Sequence, residues 1–322
     1  MKEIQILNEV LKSIENFNKE ILKKPSDFTE IKEYITYLDG IFMKHFKIFH
    51  NMTQIIKPKL LPFKMFRVRE YEPIKNKDLF NEYSYPPTDF VGDGRCNFKK
   101  KPVFYCSNNP ITALLEVIRN TEYKSKKFCI STWSLIDNNE DLIIDNFLQS
   151  NLHPLNIFQN LANSQIENID KVFEQKLNNE QKLGIIEFYK FLDSKFIEDK
   201  DYSISSFLAH RRLYADHNFR SDIIIYPSVQ TESKSVNFAI QPNFVDNCMK
   251  IERFYIVELD YYDKTSNKFS LTFSKYGKIE KNVILWRNLK LDDLEDYEEN
   301  FKNDFKAYLD NPHEFNYVKN TT

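Results

Sequence analysis

"VGDGRCNFKKKPVFYCSNNPITALLEV", residues 91–117, carries the strongest local signals in the chain. The 322 residues include only five glycines, and two of them, Gly92 and Gly94, flank Asp93 just before Arg95. Glycine permits positive φ and lets backbone approach another group closely. The pair therefore reads as a tight loop presenting Arg95, or as an ordinary turn between strands. "PVFYCS" (102–107) is a short aromatic strand bounded by polar residues. "NNPITALLEVIR" then starts a helix, with Asn109 at the N-cap and Pro110 at the first helical position, where a missing N–H costs nothing. Within that helix Glu116 is surrounded by apolar neighbours, from Ile111 to Ile118. It is either a purposeful buried charge or, with Thr112 on the same face, part of an exposed polar stripe.

Working outward, "FKMFRVRE" (63–70), "KFCISTWSL" (127–135), "SDIIIYPSVQ" (221–230), "SVNFAI" (235–240), "IERFYIVELDYY" (251–262) and "FSLTFS" (269–274) read as strands, the last after a turn at 264–268. Pro227 cannot donate to a ladder, so it ends or bulges its strand and leaves Ser228 at an irregular point. Ser228 lies outside any GxSxG elbow, which argues against an α/β-hydrolase nucleophile. It sits in a cleft or opens a surface loop. Helices are expected over 2–24, stopped by Pro25, and after a capping box of Asp27 and Glu30. The second follows the stripe Ile31, Ile35, Leu38, Phe42, Phe46, Phe49, Met52 and Ile56, closed by Pro58 and Pro62. Residues 155–200 are strongly helical and poor in chemistry. A further helix spans 204–218, and an acidic one 291–309. Strands mixed irregularly with helices indicate an α+β fold.

Hydrophobic content of 42%, charged content of 29%, 28 Phe and 18 Tyr fit a folded globular chain. A net charge of −2 argues against binding nucleic acid through bulk positive charge. The lysine runs at 99–101 and 124–127 read as solvated faces. Cys96, Cys106, Cys129 and Cys248 form no CxxC pair, and no Cys/His cluster suggests a metal. The charged amino terminus is unlike a signal peptide, and no stretch is long and apolar enough to span a membrane. A reduced, cytoplasmic protein is expected.

"FRVR", "GDGRCN", "PVFYCSNNPITALLEV" and "IIIYPSVQ…VNFAI" together resemble the RES domain family, named for an arginine, a glutamate and a serine. The resemblance covers roughly residues 63–135 and 201–260. It implies an ADP-ribosyltransferase-like mixed β core, with a helical N-terminal extension over 1–62. The catalytic domain would span 63–290, interrupted by a helical insertion at about 140–200, followed by an acidic helix and tail over 291–322. The family includes bacterial toxins of toxin–antitoxin pairs that consume NAD+. Carried over residue by residue, it gives Arg95, Tyr105, Glu116 and Ser228 as the catalytic site, with Arg67 and Asn237 as further NAD+-binding positions and no metal. It implies NAD+ as substrate and a small antitoxin as partner. The N-terminal helices offer a surface for homo-oligomer formation.

The chemistry suits these residue types. Breaking the nicotinamide–ribose bond leaves positive charge on the sugar, which a carboxylate such as Glu116 can offset while accepting a ribose hydroxyl. Arg95 can clamp a pyrophosphate with a planar fork. The Tyr105 ring can stack on a base. The Ser228 hydroxyl can fix a ribose or phosphate oxygen. The expected activity is transfer of ADP-ribose to water or phosphate. The alternatives are ADP-ribosylation of a macromolecule and a silent nucleotide-binding module. The helical insertion is expected to frame the pocket.

Overall fold

The computed structural model describes residues 4–48, 53–58, 64–119, 123–136, 141–150, 152–173, 176–216, 220–263, 265–266, 268–289, 295–310 and 315–319. Among these, eleven strands form one mixed sheet. In chain order they are β1 (Gln54–Ile56), β2 (Met65–Glu70), β3 (Phe104–Ser107), β4 (Lys127–Leu135), β5 (Leu142–Asn146), β6 (Ile223–Pro227), β7 (Val236–Ile240), β8 (Met249–Asp263), β9 (Lys268–Glu280), β10 (Val283–Asn288) and β11 (Phe315–Lys319). The spatial order is β1-β5-β6-β7-β3-β2-β4-β8-β9-β10, with β11 also on β9. The β5–β6 and β9–β11 pairs are parallel and the others antiparallel.

One junction differs from the rest. Strands β2 and β4 pair along six positions, from Met65↔Trp133 to Glu70↔Phe128. Strands β2 and β3 meet at a single pair, Phe66↔Ser107. The sheet is therefore nearly split there, and side chains of both strands line the opening.

Each half carries its own helical cover. On one face of the β6–β7–β3 half lie α1 (Leu7–Asn18), α2 (Ile31–Phe46), α6 (Asn179–Glu198) and α7 (Ile204–Leu213). Phe17, Phe42 and Phe46 pack with Phe188, Phe191 and Phe207, and this cluster meets Ile224 and Ala239 of the sheet. Fully burying such side chains stabilises by about 1.5–3 kcal/mol each. Helix α6 runs so close to the start of α1 that a Cβ at Gly184 would lie 2.6 Å from the Gln5 carbonyl oxygen. The opposite face is covered by α4 (Gln159–Glu167), which leads into the short α5 (Ile169–Val172), and by α8 (Pro242–Cys248); there Phe158, Phe244 and Val245 pack on Phe104 and Phe238. On the other half, α3 (Pro110–Ile118) and α9 (Glu295–Asp304) bury Leu114, Ile118 and Phe301, with Phe305 just after α9, against Phe128, Tyr255 and Val257. The short α10 (Lys306–Leu309) follows α9.

Several expectations change. The N-terminal segment is not wholly helical: Ile56, counted in a helical stripe, lies in β1, which extends the sheet at β5. Phe49, Met52 and Pro62 lie outside the described residues, as do Lys264 and Asn267 of the expected turn and residues 291–294 of the acidic helix. The first helix covers Leu7–Asn18 rather than 2–24. Asp27 accepts the Lys24 N–H at 2.8 Å, one turn before the expected box, and α2 begins only after Glu30. The 140–200 segment opens with β5, inside the sheet, before turning helical. The C-terminal tail contributes β11. Helices α1 and α2 spend their apolar faces on α6, α7 and the sheet of the same chain, which takes up much of the surface expected to serve an oligomer. No helix among the described residues is long and apolar enough to cross a membrane.

Candidate active site

A cleft of about 530 Å³ opens where β2 and β3 part. Its walls include Arg67 of β2, Tyr105 of β3, Glu116 of α3, Asn237 of β7, Arg95 from the glycine loop and Tyr202 from the turn between α6 and α7. Ile197, Glu198 and Lys200 bring the end of the helical insertion into one wall.

Glu116 is placed by its helix. The Asn109 side chain accepts the Thr112 N–H at 2.7 Å, and Pro110 occupies the first turn. Thr112 is fully buried, so the two do not form an exposed polar stripe. The Glu116 side chain is 21% exposed and reaches into the cleft. Its Oε1 accepts hydrogen bonds from Ser228 Oγ at 2.7 Å and Asn237 Nδ2 at 2.8 Å. Ser228 is fully buried directly after the strand-ending Pro227, with its N–H on the Ser235 carbonyl at 2.9 Å. Asn237 is oriented by Ser107 Oγ, which donates to its Oδ1 at 2.6 Å. Two donors from neighbouring positions of β6–β7, more than a hundred residues on in sequence, therefore converge on one carboxylate oxygen. Among the described residues the other oxygen, Oε2, accepts only from Arg119 Nη1 at 3.2 Å.

The glycine loop is braced from below. Gly94 and Asn97 exchange backbone hydrogen bonds at 2.9 and 3.2 Å. Tyr105 Oη donates to Asn97 Oδ1 at 2.7 Å and accepts the Cys96 N–H at 2.8 Å. A Cβ at Gly94 would lie 2.6 Å from Asn97 Oδ1 and 3.0 Å from Tyr105 Oη. Close approach, not positive φ, thus requires Gly94, since no glycine here has positive φ. Around Gly92 a Cβ would meet nothing, so its presence has no structural explanation. Arg95 donates through Nη1 to the carbonyls of Phe196 and, at 3.0 Å, Ile197, among the last carbonyls of α6. A cation there suits the negative end of the helix dipole. Arg67 Nη1 donates to the Tyr105 carbonyl at 2.8 Å, and its buried Nε has no hydrogen-bond partner among the described residues. Burial pushes the Arg67 guanidinium down to about 10, so it stays charged at neutral pH. Burial also pushes the phenols of Tyr105 and Tyr226 well up, which keeps both neutral.

Five of the six expected positions line this cleft, and Ser228, buried behind it, joins them through Glu116. Glu116, Ser228 and Asn237 are joined by direct bonds. The Tyr105 hydroxyl is committed to the loop rather than free for a ligand, and one Arg95 nitrogen is committed to α6. Arg119 and Tyr202 were not anticipated. Arg119 follows Glu116 by one helical turn and could have been read as its i+3 partner; nothing local marks Tyr202. Among the described residues no group of three or more His, Cys, Asp or Glu side chains is arranged to hold a metal ion.

The RES domain matches residues 64–256, more than half of the chain. The chain therefore belongs to the RES domain family, and its α+β fold, with ten α-helices among the described residues, is of the ADP-ribosyltransferase-like kind that this family implies. Membership is consistent with an NAD-related, toxin-type function. No curated protein and no solved structure matches the chain.

Proposed function

We propose that the chain binds NAD+ in this cleft and cleaves the nicotinamide–ribose bond, passing ADP-ribose to water or phosphate, as a toxin restrained by a small antitoxin. The observation that carries this reading is the division of labour at Glu116. Ser228 and Asn237 fix one carboxylate oxygen and leave the other toward the cleft. An oriented carboxylate with an accessible oxygen can accept a ribose hydroxyl and face the cation that develops at the anomeric carbon. Preorganisation matters here because the donors need not reorganise when charge appears. Nicotinamide leaves as a neutral ring, so no strong acid is required of the protein. Arg95 and Arg67 contribute positive charge to the walls for the diphosphate. Ser228 acts through Glu116 rather than as a nucleophile, since its hydroxyl is buried and already donating.

The test is incubation of purified protein with NAD+, with and without phosphate, followed by chromatography of the products. Nicotinamide with free ADP-ribose supports transfer to water, and a phosphate-dependent phosphorylated ADP-ribose supports transfer to phosphate. Label appearing only on protein or nucleic acid in an extract moves the acceptor to a macromolecule. Intact NAD+ under every condition overturns the reading.

A further inference from the structure

Arg119 and Tyr202 have no part in the chemistry above, yet they join its two walls. Arg119 ends α3, one turn past Glu116. Its Nη1 donates to Glu116 Oε2 at 3.2 Å and its Nη2 to Tyr202 Oη at 3.0 Å. The Tyr202 ring lies over the Arg95 guanidinium, 5.5 Å from Cζ to ring centroid. One tyrosine, from the turn between α6 and α7, thus touches both the loop arginine and the arginine at the end of α3.

Stability does not account for this arrangement. The Arg119–Glu116 pair is 34% and 21% exposed, and such i,i+3 pairs add little. Tyr202 has φ of 55°, a left-handed conformation that an aromatic residue adopts at a cost. Its neighbours enforce it. Ser206 Oγ donates to the Tyr202 carbonyl, and Asp199 Oδ2 accepts both the N–H and the hydroxyl of Ser205, at 2.8 and 2.9 Å. The fold holds a strained residue where its ring and hydroxyl reach the cleft.

Arg67 and Arg95 each spend a nitrogen on backbone carbonyls. Both partners of Arg119 are side chains that line the cleft itself. A ligand hydroxyl donating to Oε2 takes the place of Nη1, and Nη1 is then available to an anionic oxygen of the same ligand. We infer that Arg119 is a diphosphate-binding residue, oriented by Tyr202, and that the site recognises a ribose hydroxyl and a phosphate as one unit. This rests on the NAD+ reading of the cleft and names the group that would select a nucleotide over a nucleoside.

The experiment is calorimetric titration of the full chain with ADP-ribose at several salt concentrations, alongside thermal melts. Arg119→Ala is expected to keep its melting temperature, to bind ADP-ribose about 10- to 100-fold more weakly, and to lose part of the salt dependence of binding. Arg119→Lys recovers part of the affinity. Tyr202→Phe, which keeps the ring over Arg95, binds about three- to tenfold more weakly and in turnover raises KM for NAD+ with kcat held. Unchanged affinity in Arg119→Ala overturns the inference. So does weakened affinity with an unchanged salt dependence, which assigns Arg119 a structural part. Failure of the wild-type chain to bind ADP-ribose is a separate result, and it removes the NAD+ reading itself.

Discussion

Asp304 closes α9 and is buried against β4 and β8; Glu116 lies in α3 at the parting of β2 and β3. Asp304 accepts from Arg253 Nη2 at 2.7 Å, Arg253 Nε at 2.8 Å, Tyr255 Oη at 2.8 Å and Thr132 Oγ1 at 3.0 Å, and its side chain is 1% exposed. Three of these donors fall on Oδ2 and one on Oδ1, and with the side chain buried no ligand can reach the carboxylate. Glu116 has two strong donors on one oxygen, a single long contact on the other, and a cleft in front of it. The lesson is about access. A carboxylate bonded by protein and sealed from solvent fastens a helix to a sheet, and one held by a single oxygen with the other facing a cleft can serve a ligand.

Exchanging charge for shape breaks the comparison at either end. Glu116→Gln is expected to lower nicotinamide release by about a thousandfold or more, because the developing cation loses its counter-charge. Its stability should stay within about 1 kcal/mol of wild type, since the carbonyl oxygen of the new amide still accepts from Ser228 and Asn237. Rates and melting curves of one preparation check both halves. Asp304→Asn should do the reverse. Breaking a buried pair by removing one partner costs about 3–5 kcal/mol, which lowers the melting temperature by roughly 10 °C, while activity per folded molecule is retained. Denaturant titration with a matched turnover assay reads this, and a variant that melts normally would show that Asp304 is not the staple described.

The glycine pair sharpens the same contrast on a smaller scale. A methyl at position 94 meets Asn97 and Tyr105, both already bonded, so Gly94→Ala should cost about 1–3 kcal/mol and loosen the Arg95 loop. At Gly92, where nothing lies within 4 Å, the same change should fall within about 0.5 kcal/mol of neutral. Equal effects at the two positions, measured by denaturation, would contradict the account of the loop.

His210 of α7 gives the smallest effect. Burial first, then the charge of Lys101, hold its imidazole down to about 4, and its buried Nδ1 has no hydrogen-bond partner among the described residues. The folded state therefore binds this proton more weakly than the unfolded chain, whose histidine titrates near 6.5. The sign follows: folding pays no penalty above that pH and loses stability as pH falls from about 6.5 toward 4. His210→Phe should flatten that part of the stability profile relative to wild type, with melting followed across the range. Parallel profiles would show that other groups carry the acid sensitivity.

Much of the site was legible because its residues sit in short motifs with strong local chemistry. The Asn109 cap and Pro110 start the helix that carries Glu116, and Pro227 ends the strand before Ser228. The strand over Lys127–Leu135 follows from its own residues. What was not legible is non-local. Strand β5 is five residues at the head of a largely helical segment, and only its place between β1 and β6 makes it part of the sheet. β1, β10 and β11 likewise depend on partners elsewhere in the chain. The commitment of the Tyr105 hydroxyl to the loop is visible only once β3 lies beneath it. Tyr202 reaches the cleft through the packing of α6 and α7, which no local pattern encodes.

The central claim is that the open oxygen of Glu116 faces the reacting ribose of NAD+. The most direct measurement is a crystal structure of the Glu116→Gln protein soaked with NAD+, in which the substrate should persist uncleaved. The account predicts the nicotinamide ribose in the cleft between β2 and β3, with a hydroxyl in hydrogen-bond distance of the side chain at position 116 and the diphosphate toward the arginines. NAD+ bound elsewhere on the chain, or lying in the cleft with its ribose turned away from position 116, would contradict it.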